Sequence, residues 1–138
     1  MTTAARCASV CVLLASVCSV SCGDEAATTA PTSVTSPTTV TWTALLYANG
    51  AASRSFVASQ AGIVTVTLQG AAVPIGMAVG VPAVASGSSC RAATSVTAAS
   101  SDAPQLTIGV EGGTYCVLAF DVGGIVDSIA FTVTLVHP

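Results

Sequence analysis

A strict two-residue alternation of apolar and hydroxyl side chains is the feature that most constrains this chain. In Ile63–Leu68, IVTVTL, the residues Val64, Val66 and Leu68 oppose Thr65 and Thr67. In Ser128–Val136, SIAFTVTLV, the residues Phe131, Val133 and Leu135 oppose Thr132 and Thr134. Successive side chains of a strand point to opposite faces, so this pattern describes strands with one dry and one wet face. Further strand-like runs are Thr39–Ala44, continuing into LLY, and Ser53–Ser59, Pro74–Val81, Gln105–Val110 and Thr114–Val122. Turn residues separate them: Asn49-Gly50, Gly62, Gly70, Pro82, Gly87, Pro104, Gly112-Gly113 and Gly123-Gly124. Gly supplies positive φ, and Pro has no ladder donor. About seven short strands with no helix-length periodicity predict an all-β antiparallel sandwich of jelly-roll or Ig-like topology. The Ala-rich stretch Arg91–Ala99, broken by Ser and Thr, reads as a loop.

Composition narrows the function. Charged residues are 7% of the 138, with three Arg, no Lys and six acids, for a net charge of -3. Nucleic-acid binding needs a basic face, and this chain has none to offer. At 52% hydrophobic, it is too apolar for a wholly disordered chain.

The first 21 residues read as an export signal. Met1–Arg6 carries one positive charge, and the apolar run Cys7–Val20 follows. Gly23, Asp24 and Glu25 end that run short of the roughly 20 residues that a membrane span requires. Ser19-Val20-Ser21-Cys22 resembles a bacterial lipobox, although Ser19 stands where that pattern prefers Leu. The resemblance implies that Cys22 is diacylated and becomes the mature N-terminus; ordinary signal cleavage near Ala26 or Ala27 is the alternative. Two acyl chains hold a protein stably on a membrane, whereas one does so only marginally. Gly23 follows Cys22 where Asp would imply inner-membrane retention, so the outer membrane of a bacterial envelope is the expected address. Residues 22–39 are rich in Thr, Ser, Ala and Pro, a linker composition. About 15 such residues reach roughly 50 Å when extended. The domain is expected over residues 40–138.

Four of the six Cys fall within the first 22 residues. Only Cys90 and Cys116 remain in the domain, and an exported protein is expected to join them. The bridge would pin the loop after the fourth strand onto a later strand. A redox role has less behind it, because there is no CxxC spacing. Loss of Arg6 with the signal leaves two Arg against six acids, a mature net charge of -4.

Three segments resemble the bacterial pre-peptidase C-terminal domain. They are SRSFVASQAGIVTVTL (Ser53–Leu68), QLTIGVEGGTYCVLAFDVG (Gln105–Gly123) and FTVTLV (Phe131–Val136). In order they cover most of Trp42–Val136. The resemblance implies a small non-catalytic β-sandwich that accompanies exported enzymes and assists secretion, localisation or surface binding. No peptidase precedes it in this sequence. The acidic clustering that binds calcium in some relatives is not matched by Asp102, Glu111, Asp121 and Asp127. No metal or cofactor is expected.

Catalytic equipment is sparse. His137, the one His, is penultimate, and a chain-end residue is usually mobile. No Ser lies in a GxSxG context, and neither HExxH nor a P-loop occurs. Asp121 and Asp127 flank a Gly-rich hairpin loop and could approach one another, but a solvated turn is the simpler reading. Trp42, Phe56 and Phe131 fall on alternating faces that predict core. Tyr47 and Tyr115 are candidate ligand-binding residues, since exposed rings stack on sugar faces. The expected function is a non-catalytic envelope lipoprotein module for surface interaction or structural support. Its partners would be the membrane through Cys22 and an envelope protein or polysaccharide. The alternative is a carbohydrate- or polymer-binding module, for which Tyr47 and Tyr115 should be exposed together on one sheet face.

Overall fold

Among the described residues eight strands form, one more than the sequence predicts. The structure, a computed structural model, describes residues 35–83 and 89–138. The strands are β1 (Thr38–Tyr47), β2 (Ala51–Ala58), β3 (Gly62–Gln69), β4 (Ile75–Pro82), β5 (Cys90–Ala98), β6 (Leu106–Val110), β7 (Gly113–Phe120) and β8 (Ser128–His137). The signal segment, Cys22 and the linker up to residue 34 lie outside the described residues. Within the expected linker, Thr38 and Thr39 already belong to β1, and the Thr35 hydroxyl donates to Gln60 Oε1 at 3.2 Å.

The strands make two four-stranded antiparallel sheets, ordered β1-β8-β3-β6 and β2-β7-β4-β5. Of the two expected topologies, this order is the jelly roll: eight strands in two sheets, built from two Greek keys. The alternating runs become elements whose apolar side faces the other sheet. Val64, Val66 and Leu68 of β3, Met77 and Val79 of β4, Val117 of β7, and Phe131, Val133 and Leu135 of β8 share one core. Phe56 and Phe131 are buried as predicted, and Trp42 packs partly buried against the same cluster. Arg54, on the core-facing side of edge strand β2, sets its guanidinium 5.7 Å from the Trp42 ring centroid. That cation–π contact bridges the two sheets between edge strands β1 and β2.

Cys90–Ala98 is the eighth strand, not a loop. Residues 90–98 pair with β4 from end to end except at Ala93, where the register shifts. The pattern was concealed because β5 is an edge strand of Ala, Thr and Ser, nearly all exposed, with little contrast between its faces. Cys90 therefore sits in a strand and is joined to Cys116 of β7. β4 lies between those two strands. Strands two places apart are normally about 9.5 Å apart, yet the two Cα atoms are 5.8 Å apart. The start of β5 must therefore lean across β4. The β4–β5 register shifts between Val79 and Gly80, where the lean begins. Gly80, opposite Cys116, lies beneath it: a Cβ there would stand 1.8 Å from the Arg91 carbonyl oxygen. Farther along β4, Gly76 lies opposite Phe120, whose ring covers it; a Cβ would meet that ring at 2.3 Å.

One side chain acts as strand backbone. Gln105 accepts from the Leu68 amide through Oε1 at 2.8 Å and donates through Nε2 to the Leu68 carbonyl at 3.1 Å. It thereby supplies Leu68 with the donor and acceptor that a neighbouring strand would provide.

Candidate functional site

The outer face of the first sheet gathers the Thr residues that alternation turns away from the core. Antiparallel register aligns them in rows across strands. Thr43 lies opposite Thr132, which lies opposite Gln69. Thr41 lies opposite Thr134, which lies opposite Thr67. Thr39, Val136, Thr65 and Thr107 make a third row. Rows follow each other every second residue, about 6.7 Å along a strand, and neighbours within a row are about 4.8 Å apart. The hydroxyls of Thr41 and Thr134 are hydrogen-bonded at 3.2 Å, and those of Thr43 and Thr132 at 3.1 Å. Such cross-strand Thr pairs stabilise a sheet and hold the side chains in fixed rotamers.

The same face of β1 continues to Leu45 and Tyr47, which are 55% and 60% exposed. The four strands carry no acidic or basic side chain apart from His137, which faces inward. Asp102 stands at the corner, where its carboxylate accepts from Gln69 Nε2 at 2.8 Å.

The two candidate tyrosines are not brought together. Tyr47 is on the outer face of the first sheet. Tyr115 turns into the sandwich, packs against the core and stacks on Phe56 with ring centroids 5.7 Å apart. They form no shared platform. The sequence reading missed two exposed apolar residues, Leu45 on the same face of β1 as Tyr47 and Val126 in the β7–β8 loop. Val126 is 90% exposed, beside Asp127, whose carbonyl accepts from the Ala48 amide. An apolar residue inside the turn-like stretch GGIVDS is the signal that could have found it.

Asp121 has structural employment. Its Oδ2 accepts from the Asn49 amide at 2.8 Å, and its Oδ1 accepts from the amides of Gly123, Gly124 and Ile125 at 2.8, 3.1 and 3.3 Å. It locks the β7–β8 loop to the β1–β2 turn, where Asn49 has φ 57° and Gly123 has φ 96°. Among the described residues no three His, Cys, Asp or Glu side chains gather as a metal site. His137 is not a loose chain end: it is a buried residue of β8, its ring 5.0 Å from that of Phe56. Its burial follows from the Thr38–His137 pairing, which ties the end of β8 to the start of β1.

The amide donors, Asn49 foremost, hold the Asp121 carboxyl below its ordinary value of 3.8 against a smaller opposing effect of burial. A carboxyl with a lower pKa in the folded than in the unfolded state stabilises fully above the unfolded value. That contribution is lost as pH falls through the folded value. Asp121→Ala is therefore expected to melt below the parent at pH 7, with the gap narrowing as the pH falls below 3.8. Thermal unfolding of both proteins across that range checks it, and a gap independent of pH would contradict it.

No known family model matches the chain, and no curated protein is similar to it.

Proposed function

We propose that the chain is a non-catalytic envelope lipoprotein module that presents the outer face of its first sheet to a partner. The observation that carries the reading is the uncharged face of paired threonines ending in exposed Leu45 and Tyr47. Geometry gives support. The linker enters at Thr38, and β1 runs about 30 Å from there to Tyr47. A domain tethered through Cys22 would thus carry Tyr47 at the end opposite its leash. The lipobox resemblance and the Thr/Ser/Pro linker support the tether and the outer-membrane address. The resemblance to pre-peptidase C-terminal domains supports an accessory rather than a chemical role.

Mass spectrometry of the protein from its native membrane is expected to find a diacylglyceryl group on Cys22. Cys22→Ala is expected to move the protein from the membrane to the soluble fraction. A free N-terminus elsewhere in the native protein would overturn the lipoprotein reading.

A further inference from the structure

We infer that the outer face of the first sheet takes a single chain of a neutral, soluble polysaccharide, laid along β1 and β8 with one sugar ring on Tyr47. The inference rests on the proposed role of this face as the interaction surface and names its partner.

The chemistry of the face selects the ligand. A hydroxyl has one donor and two acceptor sites. Each hydrogen-bonded Thr pair, Thr41 with Thr134 and Thr43 with Thr132, uses one donor and one lone pair internally. One donor and three lone pairs per pair remain for a ligand. The face is thus rich in acceptors, poor in donors and without charge. An anionic partner would need Arg or Lys forks, and these strands have none. A cationic partner would need carboxylates along the rows, and those near this face stand only at its rim: Asp102, already accepting from Gln69, and Asp127, which precedes Ser128 at the start of β8. A protein partner of ordinary interface size would need an apolar centre, and the exposed apolar side chains stand at the ends of the threonine rows, Leu45 and Tyr47 at one and Ile63 at the other. A polyol meets all three conditions, because each sugar hydroxyl can donate to a Thr oxygen without bringing a charge. The exposed Tyr47 ring adds an apolar platform for the C–H face of a sugar, with its hydroxyl at the wet edge.

Geometry selects a single chain over a crystalline surface. Neighbouring strands rotate by roughly 20–25°, so the face is twisted. A flexible polymer strand can follow that twist, whereas a flat crystal plane touches it along one row only. The column from Thr39 to Tyr47 spans about 27 Å, long enough for several sugar rings.

The full exported chain, purified in detergent, is to be run in native gels containing hydroxyethylcellulose, glucomannan or xyloglucan, and in parallel gels containing alginate or chitosan. It is also to be incubated with crystalline cellulose and crystalline chitin. Retardation by at least one neutral soluble polymer, little changed by salt, is expected. Tyr47→Ala is expected to weaken it about tenfold, as loss of a stacked ring does. The paired change Thr43→Val with Thr132→Val keeps shape while removing hydroxyls and is expected to weaken binding several-fold. Thr97→Val, on the second sheet, is expected to leave it unchanged. Circular dichroism of each variant verifies folding. The inference is overturned by retardation in no neutral polymer, by binding only to charged polymers, by retention only on crystalline solids, or by binding that Tyr47→Ala and the Thr pair leave intact. Any of these outcomes, with Cys22 still lipidated, removes the ligand and leaves the lipoprotein reading standing; loss of the lipid with binding retained does the reverse.

Discussion

Replacing Cys90 and Cys116 together by serine is expected to lower the free energy of unfolding by about 3.5 kcal/mol. The two residues are 26 apart in sequence, and closing a loop of that length removes this much freedom from the unfolded chain in the entropy model. A domain of this size has only about 5–15 kcal/mol in total, so the loss is large. The location of the change should be as telling as its size. The bridge joins two strands that are not neighbours and draws the start of β5 over β4. Without it, the edge strand retains its ladder to β4 from Ala98 back toward Thr94, while its first residues lose their hold. Hydrogen exchange should therefore quicken most at Cys90–Ala92 and on β4 near Gly80, and little on β3 or β8. Urea unfolding gives the energy, and exchange by residue gives the location. Uniform loosening of both sheets would contradict the strap geometry.

Gly80→Ala is expected to cost about 3 kcal/mol, at the upper end of overpacking effects. The new methyl would meet the Arg91 carbonyl at 1.8 Å and the Ala92 Cα at 2.9 Å. These are backbone atoms, which cannot rotate out of the way. Gly76→Ala presses on the far edge of the Phe120 ring, which can turn, and should cost less. Gly109→Ala meets nothing within 4 Å and should be neutral or stabilising by up to about 1 kcal/mol, since glycine weakens a strand. The ranking Gly80, Gly76, Gly109 in urea unfolding tests the geometry. Removing the bridge frees the strap, so Gly80→Ala should cost less in the double-serine background. That non-additivity is the signature of two sites acting through one contact. Equal costs in both backgrounds would mean that Arg91 is held over Gly80 by something other than the disulfide.

Local pattern carried much of the architecture. The alternation in β3 and β8 announced its own faces, and Phe131 went inside on the same side of its strand as Val133 and Leu135, Phe56 on the same side as Ala58. β5 was not legible, since a pattern of Ala, Thr and Ser has no apolar side to read. Gly80 looked like any strand glycine, because the atom that requires it belongs to Arg91 on another strand. Asp121 was readable as a turn residue, but its leading partner, Asn49, lies 72 residues away. The candidate site shows the same division. Alternation sends each Thr outward, but the rows exist only because β8 inserts between β1 and β3. Tyr47 and Tyr115 were equivalent as letters and were separated by the strand face each occupies.

The ten-residue pairing of β1 with β8, from Thr38–His137 to Tyr47–Ser128, also fixes when the domain can exist. A ribosome or a translocation pore releases a chain from its amino end. β1 is then the first strand out and must wait for the last, because its one neighbour in the sheet is β8. β3 needs β8 as well, so the first sheet has no centre until the final segment emerges. Pairings this distant in sequence make folding slow, and here they also make it late. An emerging thread that cannot close prematurely suits passage through a narrow channel. The arrangement that aligns the threonines is thus also a timer that starts when the last strand is free.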